Sequence, residues 1–198
     1  MTVARRSPLG GRRPTRDELA GFENATIDDV IAEHTKLLIV GINPGLWTAA
    51  VNAPFAHPAN RFWPSLAEAG LMPHRVDASR GLGDDDLATF TAQGFSLTNI
   101  VGRASARAAE LSAEELRAGR VQLEQLAQRL SPRVIAILGI TAYRTAFEDK
   151  NAVLGKQDRE IAEAEVWVLP QPSGLNAHAP LPVLADWWRQ VGHAAGII

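Results

Sequence analysis

Leu37-Leu38-Ile39-Val40-Gly41-Ile42-Asn43-Pro44-Gly45 carries an apolar, β-branched-rich run straight into a cluster of Gly, Asn, Pro and Gly. The run reads as a strand buried on both faces, and the cluster as the tight turn that breaks it at its carboxyl end. In an open α/β sheet, ligands sit in the crevice beyond the carboxyl ends of the strands. Asn43 would stand at the lip of that crevice, with Pro44 and Gly45 fixing the turn. Taken alone, the same letters are commoner in an ordinary βα turn, where Asn serves for its tolerance of unusual dihedrals.

Three further runs share the buried character of the first: 94–100, 134–139 and 166–170. Helical patterns lie between them. Thr26-Ile27-Asp28-Asp29 reads as a capping box with Asp in place of Glu, opening a short helix with Ile27, Val30 and Ile31 on one face. A second helix spans 60–70, with Phe62, Trp63 and Leu66 inward and Gly70 as its stop. Asp84, Asp85 and Asp86 favour the start of a helix over 85–92 through the helix dipole. Ser112 and Glu115 form a capping box for a helix to Leu130, with Leu116, Val121, Leu123, Leu126, Ala127 and Leu130 as its buried side. A short helix follows over 141–147, and a terminal one over 181–194 carries Leu184, Trp187, Trp188 and Val191. Residues 46–60 and 171–180 are too irregular for helix or strand. Loops of that length in compact domains are often functional, so both are expected to wall the crevice. The pattern predicts a three-layer α/β/α sandwich with a mainly parallel sheet of four to five strands.

At 198 residues, 46% hydrophobic and 21% charged, the chain has the composition of one globular domain. It has no cysteine, which excludes disulfides, thiolate nucleophiles, zinc fingers and Cys-ligated iron-sulfur clusters. No apolar run is long enough to span a bilayer, and the N-terminus lacks the apolar core of a signal peptide, so a cytoplasmic protein with no membrane partner is expected. The net charge of −2 argues against an indiscriminate nucleic-acid binder, although local contacts need only a local positive surface. Arg5, Arg6, Arg12, Arg13 and Arg16 all precede the first acid, Asp17. Residues 1–18 therefore read as a mobile basic arm, and 19–198 as a single domain.

Several familiar machines are missing. Gly41 and Gly45 do not make G-x-G-x-x-G, no Lys-Ser/Thr follows the turn, and there is no G-x-S-x-G elbow, so no nucleotide cofactor is expected. The five histidines show no metal-ligand spacing, so no metal is expected either. What remains at the strand ends are side chains that hydrogen-bond but do not readily exchange protons: Asn43, Asn99, Gln171 and Ser173.

Gly41-Ile42-Asn43-Pro44-Gly45 and Pro172-Ser173-Gly174-Leu175-Asn176 resemble the two signature motifs of the mismatch-specific uracil/thymine DNA glycosylases, the Mug/TDG family within the uracil-DNA glycosylase superfamily. Segments 54–63, 98–101 and 136–139 resemble further family segments in the same order, and the likeness runs over residues 36–190. It implies a superfamily-like fold and hydrolysis of the N-glycosidic bond of a uracil, or of a thymine or modified cytosine, flipped out of duplex DNA and favoured opposite guanine. Asn43 would orient the attacking water. Gly41, Ile42, Asn99 and Gln171 would meet the base edge, Phe55 would stack on its face, and Thr48 would lie near its 5-position. Leu175, presented by Pro172, Ser173 and Gly174, would fill the hole left in the duplex, with backbone at Gly174 and Asn176 meeting the widowed guanine. No cofactor is implied, and the expected form is a nucleoid-associated monomer. Gln171, Asn99 and the Ala177-His178 pair depart from residues common in bacterial relatives. Two other readings compete: a damaged-DNA binding module without catalysis, and a hydrolase of free nucleosides or nucleotides.

Overall fold

The computed structural model describes residues 5–198. Five strands, β1 (Leu37–Gly41), β2 (Phe95–Asn99), β3 (Val134–Leu138), β4 (Gly155–Ile161) and β5 (Ala164–Leu169), form one sheet in the order β2-β1-β3-β5-β4. The first four in that order run parallel, and β4 is antiparallel to β5.

Because side chains alternate across a strand, β1 feeds two cores at once. Leu37 and Ile39 enter one cluster, with Phe62, Trp63, Phe90 and Trp188; Leu38 and Val40 enter the other, with Leu123, Ala127 and Tyr143. The first layer holds α3 (Phe62–Glu68), α4 (Asp84–Ala92) and α7 (Leu181–Ala195), and the second holds α5 (Ala113–Leu130) and α6 (Ile140–Ala146). This is the three-layer sandwich that the hydrophobic patterning requires. Within the first layer, Trp188 Nε1 donates to Ser65 Oγ at 2.9 Å, tying α7 to α3.

Three local expectations need correction, and one strand, β4, was not among the predicted runs. Residues 26–31 are not helical: Val30 is extended and exchanges both of its backbone hydrogen bonds with Leu97, at 2.9 and 2.7 Å. The open edge of β2 captures this segment, and Asp28 accepts from Asn52 Nδ2 instead of capping a helix. Residues 46–60 are not wholly irregular, since Leu46–Val51 forms α2, buried through Thr48, Ala49, Ala50 and Val51 and ended by Asn52 in the left-handed region. Val121 is 45% exposed; the buried row of α5 is Leu116, Gly119, Leu123 and Ala127, which leaves position 121 off the stripe. Finally, β4 pairs with β5 through a two-residue turn, Ala162-Glu163, with φ of 49° and 65°. That is the turn geometry for which Asn-Gly is the usual sequence signal, and this chain lacks the signal.

Ahead of β1 lie α1 (Arg16–Leu19) and a 3₁₀ turn at Ala20–Phe22. Residues 1–4 of the expected basic arm fall outside the described residues. Further along, Arg5 Nε donates to the Asn52 carbonyl at 2.9 Å, its Nη2 donates to Asn52 Oδ1 at 3.1 Å, and Arg13 Nε donates to Ser79 Oγ at 3.0 Å. Arg12 pairs with Glu18. Among the described residues no helix is long and apolar enough to cross a membrane.

Candidate active site

The carboxyl ends of the parallel strands open into a cleft of about 960 Å³. Gly41, Ile42, Asn43, Thr48, Phe55, Asn99, Gln171, Pro172, Ser173, Gly174, Leu175 and Asn176 all line it. Residues far apart in sequence thus reach one volume, the size of a small-molecule site.

The turn after β1 is held by the segment after β2. Ile100 N–H donates to the Gly41 carbonyl at 2.9 Å, Val101 N–H to that of Ile42 at 2.9 Å, and Ser105 N–H to that of Pro44 at 3.2 Å. Within this frame Asn43 Nδ2 donates to the Pro44 carbonyl at 3.2 Å, the Arg103 carbonyl at 3.0 Å and Ser105 Oγ at 2.8 Å. Carbonyl oxygens only accept, so the amide orientation is fixed by chemistry. Ser105 Oγ in turn donates to the Arg107 carbonyl at 2.8 Å, which leaves its lone pairs to Asn43. The NH₂ group of Asn43 is therefore committed to protein, and Oδ1 meets no described donor. What the side chain can offer a ligand is an oriented acceptor.

Arg103 links this frame to α5. Its Nε and Nη2 donate to the Glu115 carboxylate at 2.5 and 3.1 Å, and Glu115 accepts from Ser112 N–H at 2.8 Å in the capping box. The Arg103 guanidinium, followed by the Ser112 backbone, holds the Glu115 carboxyl down at about 2. A carboxyl lowered in the folded state stabilises above its ordinary value of 4.5, and the contribution fades as pH falls toward 2. Glu115→Gln should therefore lower Tm at pH 7, with the deficit shrinking between pH 4.5 and 2; thermal melts across that range would show it.

Asn99, at the end of β2, lies in register with Gly41, and a Cβ at position 41 would stand 2.5 Å from Asn99 Oδ1. The Phe55 ring closes over the same spot, 3.4 Å from that Cβ position. Phe55 itself has φ of 54°, a costly conformation for an aromatic residue. It is held there by stacking on Phe62, with ring centroids 4.1 Å apart. The ring is thus both an anchor to the core and a wall of the cleft. Thr48 is buried in α2, with Oγ1 accepting from Ala56 N–H at 3.3 Å.

The second loop is built around its own backbone. Asn176 N–H donates to the Ser173 carbonyl at 3.0 Å, Leu175 N–H to Ser173 Oγ at 3.3 Å, and Asn176 Nδ2 to the Gln171 carbonyl at 2.9 Å. These bonds leave the Leu175 side chain 96% exposed at the cleft rim. The loop's own backbone bonds thus keep a large apolar side chain in solvent beside the cleft, free to meet a ligand bound there.

Ser105, Arg103, Arg61 and Asp29 were not legible as site residues. The first two act through bonds to Asn43 across some sixty positions, and no local pattern announces such a contact. Arg61 binds the second loop from outside the cleft. Asp29 lines the cleft; desolvation raises its carboxyl above the usual range, against the Thr98 hydroxyl and Arg5, which draw it down. Among the described residues, no group of three or more His, Asp or Glu side chains could hold a metal ion.

Fold and site together define an α/β protein with a ligand cleft beyond the ends of a parallel sheet, walled by an aromatic ring and side-chain amides. The family model of the Uracil DNA glycosylase superfamily matches residues 29–191, and this chain belongs to that superfamily. Among solved structures, the solution NMR structure of a "putative Uracil DNA glycosylase" from Methanosarcina acetivorans is similar at a TM-score of 0.60 and 19% identity. The match covers 86% of this chain and 99% of that one, and at that identity it shows the shared fold alone.

Proposed function

We propose that this protein is a monofunctional DNA glycosylase that hydrolyses the N-glycosidic bond of uracil flipped out of duplex DNA, favouring uracil opposite guanine and acting as a monomer. Superfamily membership supports the chemistry and DNA as partner. The observation that carries the reading to duplex DNA is Leu175, 96% exposed on the rim of the cleft that contains Asn43. A hydrolase of free nucleosides would have no use for an apolar side chain held out in water, whereas a duplex with a base removed offers it a hole.

The residues suit a dissociative reaction. Charge grows on the departing base as the glycosidic bond lengthens, so donors at the base edge matter more than a strong nucleophile. Backbone N–H groups of the 41–45 turn and the Asn99 amide would meet that edge, with Phe55 on the ring face. Asn43 Oδ1 would hold the water on the sugar side, gaining rate by orientation and not by basicity. Among the described residues no lysine lines the cleft, so no Schiff base is expected and the product is an abasic site.

Base release from matched oligonucleotides carrying U:G, U:A, T:G and single-stranded uracil tests the reading. Release that is fastest from U:G supports it in full. Binding to DNA with no release from any substrate turns it to a binding module. Gly41→Ala is a second probe: its Cβ would press on the Asn99 side-chain oxygen and touch the Phe55 ring at an ordinary 3.4 Å, with no backbone atom in the way, so Tm should hold. Uracil release should fall about tenfold or more as the Asn99 amide is pushed aside.

A further inference from the structure

Resting on that reading, we propose that Arg61 is the positioning residue of the wedge: it clamps the backbone of the second loop so that Leu175 stays presented, and joins the wedge to the base-stacking wall. Arg61 does not line the cleft. Its Nη2 donates to the Ser173 carbonyl at 2.5 Å and to the Asn176 carbonyl at 2.6 Å, and its backbone N–H donates to the Pro172 carbonyl at 2.9 Å. Three carbonyls on either side of Leu175 are thereby drawn to one residue. The loop also lies hard against the segment before Arg61, since a Cβ on Gly174 would stand 2.6 Å from the Ala59 carbonyl oxygen.

Two details identify the clamp as the residue's task. Arg61 Nε is buried without a partner among the described residues, so its position satisfies the loop at the expense of its own hydrogen bonding. It also makes no ion pair among those residues; carbonyl oxygens are its acceptors. An exposed leucine gains by turning into the core unless its backbone is fixed, and this guanidinium supplies the fixing. The next residue, Phe62, opens α3 and stacks on Phe55. One dipeptide therefore holds the wedge with its first side chain and the cleft's aromatic wall with its second, setting the distance between hole-filling and base capture.

The test compares wild type, Arg61→Gln, Arg61→Lys, Leu175→Ala and Arg61→Gln/Leu175→Ala for uracil release from a U:G duplex, with amide hydrogen exchange at Leu175 and Asn176. Both carbonyls are served by the one Nη2 nitrogen; Gln is shorter and uncharged, and Lys keeps a charged donor on a flexible stem without the planar group that aims it. Arg61→Gln should reduce release on the order of tenfold, raise exchange at both amides and add little once Leu175 is already alanine. Lys should fall between Arg and Gln. Unchanged exchange overturns the clamp, and so does multiplication of the Arg61→Gln and Leu175→Ala losses. A wild type that releases no base from any substrate would defeat the glycosylase reading instead, and exchange alone would then decide whether the clamp exists.

Discussion

On the proposed glycosylase reading, Asn43→Ala is expected to cut uracil release from a U:G duplex by about 10²-fold or more under single-turnover conditions, because it removes the acceptor that would orient the water. Folding should suffer less. The Arg103 carbonyl and Ser105 Oγ lose a donor, a cost of about 1–3 kcal/mol, while the Pro44 carbonyl keeps Ser105 N–H. Asn43→Asp separates orientation from basicity more sharply. It preserves an outward oxygen, yet its inner oxygen would face the Pro44 and Arg103 carbonyls where Nδ2 now donates. Three acceptors crowded together raise the carboxyl pKa in the folded state. A raised folded value means stability present at low pH and lost as pH rises through it, so the Asp variant should melt higher at pH 4 than at pH 7 relative to wild type. It should not exceed wild-type activity at neutral pH, and a faster Asp variant would sink the account of Asn43 as a fixed acceptor.

The largest stability effect is expected at Gly119→Ala, outside the cleft lining. A Cβ there would stand 2.0 Å from the Ile100 carbonyl oxygen and 2.8 Å from its carbon. These are backbone atoms that cannot swing aside, so α5 must lift from the sheet. The loss should reach about 3 kcal/mol, read as a drop in denaturant midpoint at unchanged slope. The displacement should also propagate. Ile100 N–H holds the Gly41 carbonyl, and Ile100 follows Asn99 directly, so base release should fall even in the fraction that stays folded.

Two of the strands that carry the site, β1 and β3, were readable because each is apolar throughout and ends in turn chemistry: Leu37 to Val40 before Gly41, and Val134 to Leu138 before Gly139. The residues that meet in the cleft were readable because two rigid loops with Pro and Gly stand at such ends. Elements whose shape is set by distant partners were not. Val30 is extended because Leu97 had backbone groups to offer, Gly119 faces inward because Ile100 is close, and the turn at Ala162-Glu163 is imposed by the pairing of its strands. The same reason hid the supports of the site. Asn43 announces itself in a motif, whereas Ser105 matters only because the fold brings its hydroxyl within 2.8 Å of the amide.

The two outer strands have a consequence for the protein's behaviour in a crowded solution. Unpaired strand edges recruit other chains into intermolecular sheets, the first step toward aggregates. On one side Val30 occupies the β2 edge at Leu97. On the other, β4 carries Lys156, Asp158, Arg159 and Glu160, with its pairing register broken between Lys156 and Glu160. The hydrophobic interior strands β1 and β3, each capable of templating fibril growth if exposed, are thus shielded by a plug on one flank and by charge and irregularity on the other.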